Sequence, residues 1–114
     1  MDARVTEHID AFNAHDTERL LAGLAEDARW ATGQDVFQGR ASLAELFDDG
    51  LWALNPSLEV RTVVSDGEAS AAELLEELTV DGERRRFAIA VFLRFADGLI
   101  TSATVYREGS ADLD

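Results

Sequence analysis

The chain is 114 residues long, 46% hydrophobic, and carries 23 acidic residues against ten arginines and no lysine, giving a formal net charge of -13. Length and apolar content suit one domain with one core, spanning 1–114, while the acidity excludes binding to a phosphate backbone, which needs clustered positive charge. The missing lysine removes Schiff-base and P-loop chemistry, and the missing cysteine with only two histidines removes disulfides, thiol nucleophiles and the usual zinc sites, so neither metal nor cofactor is expected.

The N-terminal residues include Asp2, Arg4 and Glu7 in place of a basic and then apolar leader. No apolar run reaches membrane-spanning length, so a cytoplasmic protein without membrane contact is expected. In the stretch VTEHIDAF, Val5, Ile9 and Phe12 recur at helical spacing. His8, three residues after Val5 and four before Phe12, shares their inward face. A titratable ring there is either a structural histidine or one wall of a cavity.

Asn13 to Asp16 reads as a turn, with His15 as a turn residue and Asp16 or Thr17 capping a short second helix that buries Leu20, Leu21 and Leu24. Ala28 to Thr32 and Val36 to Gln38 read as short strands around Gly33. Gly39 opens a longer helix whose stripe is Leu43, Leu46, Phe47, Leu51 and Leu54, ended by Asn55-Pro56. Trp52 falls opposite that stripe and is expected at the surface or a contact. From Leu58 onward, Asp66-Gly67, Asp81-Gly82 and Asp97-Gly98 separate β-rich runs into a four-stranded antiparallel meander. Helices followed by a meander indicate an α+β domain with helices on one face of a curved sheet. The triplet Arg84-Arg85-Arg86 reads as the solvated start of a strand, and Gly109 to Asp114 as a frayed tail.

Alternation assigns the faces of the long strand. Arg85, Phe87, Ile89, Val91, Leu93 and Phe95 form the inner set. A tight turn at Asp81-Gly82 sets Glu76 opposite Phe87, Leu78 opposite Arg85 and Leu74 opposite Ile89, so Glu76 also points inward. A carboxylate there needs a cation or several donors to keep its charge, with Arg85 as one expected partner. A three-residue turn at Asp66 would set Arg61 opposite Glu73 in an outward charge ladder with Glu77 and Arg86. On the last strand Ser102, Thr104 and Tyr106 are expected inward. The outer row would then be Ala88, Ala90, Phe92, Ala103 and Val105, an apolar patch suited to a homodimer. Trp30 points inward beside Ala28 and Thr32 as a large apolar wall.

The segment ANAHDTERLLAGLAEDARW, the Gly39-Arg40 helix start, and the strands FAIAVFLRF and GLITSATVYREG together resemble the NTF2-like superfamily, in its SnoaL-like and ketosteroid-isomerase-like branch, over roughly Val5 to Glu108. The resemblance implies a cone of about six mostly antiparallel strands curled around a hydrophobic pocket, covered on the concave face by the N-terminal helices and one longer helix, and often dimeric through the outer sheet face. It puts His8 where isomerase relatives carry an oxyanion-binding tyrosine, Thr32 where they carry the catalytic base, and Val91 where they carry a second oxyanion acid. The Asp-Arg-Asp set of epoxide-hydrolase relatives has no acids to match on the last two strands, and no aspartate matches the SnoaL-type acid/base at an inner position of the last strand. The expectation is a small-molecule-binding protein with a hydrophobic cavity. The alternative is a metal-free cyclase or isomerase moving a proton next to a carbonyl of a polyketide-like or steroid-like substrate. Glu76 and His8 are its catalytic candidates, and Trp30, Thr32, Phe87, Val91, Thr104 and Tyr106 the ligand-binding ones.

Overall fold

Helix α1 (Ala3–Asn13) starts where the Asp2 carboxylate accepts the Arg4 backbone N–H at 2.9 Å, and it buries Val5, His8, Ile9, Ala11 and Phe12 along one side. Both its ends are tied to the sheet: Arg4 donates to the Gly67 carbonyl and lies over the Phe95 ring, while the Asn13 side chain exchanges two hydrogen bonds with the Leu58 backbone. This is the first element of a computed structural model that describes residues 2–108. The expected frayed tail from Gly109 to Asp114 lies outside the described residues.

After a turn in which His15 adopts a left-handed φ of 53°, Asp16 caps the short α2 (Thr17–Ala22). Strand β1 (Leu24–Thr32) begins four residues earlier than the pattern suggested and turns at Gly33-Gln34 into β2 (Asp35–Gln38). Gly39, at φ 90°, opens α3 (Arg40–Asp49). The expected continuous helix to Leu54 does not form. Gly50 ends α3 at φ -133°, and Leu51–Leu54 make a single 3-10 turn. That change of pitch rotates Trp52 inward, against the expectation of a surface position. Its ring stacks on Phe47 and on His15, meets Phe12 edge-on, and donates its indole N–H to Thr17 Oγ1 at 2.7 Å.

Strands β3 (Ser57–Ser65), β4 (Ala69–Val80), β5 (Glu83–Ala96) and β6 (Leu99–Glu108) form the expected meander, and β1 docks on β6 in parallel to give one six-stranded sheet ordered β2-β1-β6-β5-β4-β3. At Asp81-Gly82 and Asp97-Gly98 both turn residues have positive φ, the two-residue hairpin geometry whose twist suits the strands it joins. The β4–β5 register is therefore as expected, with Glu76 opposite Phe87, Leu78 opposite Arg85 and Leu74 opposite Ile89.

Two bulges move residues that alternation alone misplaces. In β3 the pairing of Ser65 with Ser70 shifts the register, so Thr62 and not Arg61 faces Glu73; the bulge at Arg61 then restores the phase at Val60 opposite Leu74. In β6 the bulge at Thr101, between the pairs Phe95–Ile100 and Arg94–Ser102, flips every residue beyond it. Ala103 and Val105 are consequently buried with the core, not on the outer face, whereas Thr104 and Tyr106 leave the interior. The helices cover the inner face: Val5, Ile9 and Phe12 of α1 and Leu43 and Phe47 of α3 pack against Trp30, Leu74, Ile89, Val91 and Leu93.

Candidate functional site

Between α1 and the inner sheet face the packing leaves a cavity of about 80 Å³. Val5, His8, Ile9 and Phe12 form its helical wall, Trp30, Leu74, Ile89, Val91 and Val105 its sheet wall, and Leu51 and Leu58 one flank. Polar side chains on it are His8, Thr32, Glu76 and Arg107. Among the described residues no group of three or more histidines and carboxylates is arranged to hold a metal ion.

Glu76 lies on the inward row of β4 and is only 4% exposed. Its partner is Arg107, not the expected Arg85, which pairs instead with Glu83 at the strand end. Arg107 Nε donates to Oε1 at 2.9 Å, and Nη2 stands 2.7 Å from the same oxygen in the ion pair. The guanidinium supplies the countercharge a buried carboxylate requires. It is itself a third exposed and sits 5.8 Å from the Phe87 ring centroid. Arg107 therefore runs from the surface down to Glu76, and Phe87 stands beside that entrance without lining the cavity.

His8 is buried against Trp30, with ring centroids 5.6 Å apart. Burial pushes its imidazole down to about 4, so the ring is neutral at pH 7 and offers one donor and one acceptor. It makes no hydrogen bond to Glu76 or to any other described residue. Since no described side-chain nitrogen or oxygen is enclosed without a partner, its nitrogens reach open space in the cavity or in the second hollow it borders beside Gly23 and Gly98. The expected direct His8–Glu76 pair does not form. The two groups stand on the same cavity as separate polar points.

Of the other anticipated residues, Trp30, Thr32 and Val91 line the cavity. Thr104 and Tyr106 do not, because the Thr101 bulge turns them to the outer face, where Tyr106 is 60% exposed and meets Phe92 edge-on. The same bulge brings Arg107 inward, and Arg107 is the residue the sequence reading missed. One signal was available: an inward acid demands a cation, and the last strand holds a single arginine.

Chemically, the site combines an ion-paired carboxylate, a neutral imidazole and a threonine hydroxyl on otherwise apolar walls. Polar groups of this kind on apolar walls can orient a small molecule, and a carboxylate and an imidazole facing one cavity can also serve proton transfer.

A family model described as a SnoaL-like domain matches residues 5–103. Among solved structures, SalBIII, described as an epoxide hydrolase/cyclase-like enzyme in pyran ring formation of the polyether salinomycin, is 23% identical, with a TM-score of 0.85 over 93% of this chain and 88% of that one. An LEH-like epoxide hydrolase of M. tuberculosis is 20% identical, with a TM-score of 0.83 over 93% and 80%. An NTF2-like protein of unknown function from Burkholderia pseudomallei is 19% identical, with a TM-score of 0.85 over 95% and 90%. A search of curated proteins finds no match. The NTF2-like fold, a curved six-stranded sheet under its helices, is the one these structures share, and by the extent of the family match the chain belongs to the SnoaL-like domain family.

Proposed function

We propose that this protein binds a small, mostly apolar organic molecule in the cavity between α1 and the sheet. The observation that carries this reading is Glu76: a carboxylate buried among aliphatic side chains, furnished with its own counterion, on the wall of an empty space. A protein selecting only for stability replaces such a pair with apolar residues at little or no cost. A second reading, proton transfer next to a carbonyl with Glu76 as base and His8 as hydrogen-bond donor, is favoured by the neutral state of His8, which leaves a ring N–H free to point at a carbonyl oxygen. One of the similar solved structures, SalBIII, is described as an epoxide hydrolase/cyclase-like enzyme, which agrees with either reading.

The same proposal includes a homodimer through the outer sheet face. Val36, Ala31, Thr104, Phe92, Ala71 and Val64 form one cross-strand row there. Val36, Val64 and Phe92 in it are about half or more exposed, and a second copy would cover them.

Trp30 provides the test of the cavity reading, because it lies on the cavity wall. One-ring apolar probes are expected to change its fluorescence, and Ala72→Met, at an alanine of β4 that also lines the cavity, is expected to fill the space and abolish that change while the protein still unfolds cooperatively. No response in the wild-type protein to any probe would refute the reading.

A further inference from the structure

Arg107 Nε donates to Oε1 of Glu76, and Nη2 also makes its closest approach to that oxygen. The other oxygen, Oε2, has no partner among the described residues, although Glu76 is 4% exposed and no described side-chain oxygen is enclosed unpartnered. Oε2 therefore borders open space, and the space Glu76 borders is the cavity. A carboxylate oxygen only accepts hydrogen bonds. We infer that the occupant of the cavity is a compact molecule, of about one ring, that carries a hydroxyl or N–H group donated to Glu76 Oε2. This rests on the reading of the cavity as a ligand site and adds the ligand's chemistry to it.

Each part of the inference has its own physical ground. A ketone, ether or ester oxygen placed at Oε2 sets acceptor against acceptor, and an anionic ligand adds a second negative charge at a point where the guanidinium fork is already engaged by Oε1. The remaining walls are aliphatic and aromatic, so the rest of the ligand is apolar. The volume of about 80 Å³ lies below the roughly 150 Å³ at which an apolar cavity takes up a benzene-sized guest, and far below the ~300 Å³ or more of pockets that enclose drug-sized ligands. One ring enters if Arg107 yields at the mouth, where a third of its side chain is already in solvent. Fused rings require displacement of Leu74, Ile89 or Val91, which belong to the close-packed core.

The test is calorimetric or NMR titration with four probes: benzyl alcohol, its shape-matched hydrocarbon ethylbenzene, the acceptor-only benzyl methyl ether, and the tricyclic 9-fluorenylmethanol. Benzyl alcohol is expected to bind at least tenfold more tightly than each of the other three. The double variant Glu76→Leu with Arg107→Leu removes both charges together, so no buried ion is left unpaired. In it the preference for benzyl alcohol over ethylbenzene is expected to fall below twofold. Equal affinities for these two probes in the wild-type protein, or an undiminished preference in the double variant, would overturn the donor inference. Tight binding of the tricyclic alcohol would overturn the size limit. Should the double variant fail to fold, the wild-type comparison decides alone. If no probe binds, the ligand-site reading itself falls, an outcome distinct from equal binding.

Discussion

His8 carries a measurable penalty at acid pH. In the unfolded chain its imidazole takes up a proton as pH drops below about 6.5, whereas the buried ring resists protonation down to about 4. Between those values the unfolded state binds more protons, so stability is lost as pH falls through that window and is unaffected by His8 above it. The loss is on the order of 3 kcal/mol. Urea denaturation from pH 7.5 to 4 is expected to show this component in the wild-type protein and not in His8→Phe, the difference between the two curves cancelling the carboxylates that titrate in both. At this scale the sequence was a good guide to anomalies and a poor guide to partners. His8 and Glu76 stood out because each is polar on an apolar stripe. Which groups reach them depends on strand register a whole hairpin away.

The elements show why. The hairpin at Asp81-Gly82 announced its geometry, because two consecutive positive-φ residues are demanded by a two-residue turn and aspartate followed by glycine satisfies it. The pairing of β4 with β5, and with it the inward direction of Glu76, was legible on that basis. The Thr101 bulge leaves no such mark, since threonine is an ordinary strand residue and alternation on either side of it looks regular. Gly50 was equally quiet: leucines on both sides kept the apparent stripe going while the helix ended. Deleting Thr101 should turn β6 into a regular strand, with Ile100 still opposite Phe95, Ser102 still opposite Arg94, and Ala103 and Val105 still inward. The deletion is expected to cost no more than roughly 1–2 kcal/mol by urea denaturation, and a larger loss would show that the bend at the bulge is itself required. Thr101→Ala, which keeps the extra residue and removes only a 3.3 Å hydroxyl bond to the Arg94 carbonyl, should stay within about 1 kcal/mol of wild type.

For the molecule as a whole, the proposed dimer rests on the outer sheet face. Phe92 and Tyr106, 49% and 60% exposed, contact each other at its centre. A dimer is expected by sedimentation at micromolar concentration, and Phe92→Arg is expected to return it to monomer, because a guanidinium there would be desolvated without a partner. A wild-type monomer at that concentration would refute the dimer. The sheet order has a consequence of another kind. Strand β6, the last of the six to be translated, lies in the middle of the sheet, between β1 and β5. Until the ribosome has released it, the nascent chain holds two separate ribbons, β1–β2 and β3–β4–β5, each with an unpaired edge and no strand between them. Both the closing of the sheet and the arrival of the Arg107 counterion wait for that final segment, so a stalled chain exposes sticky edges and a half-built cavity together.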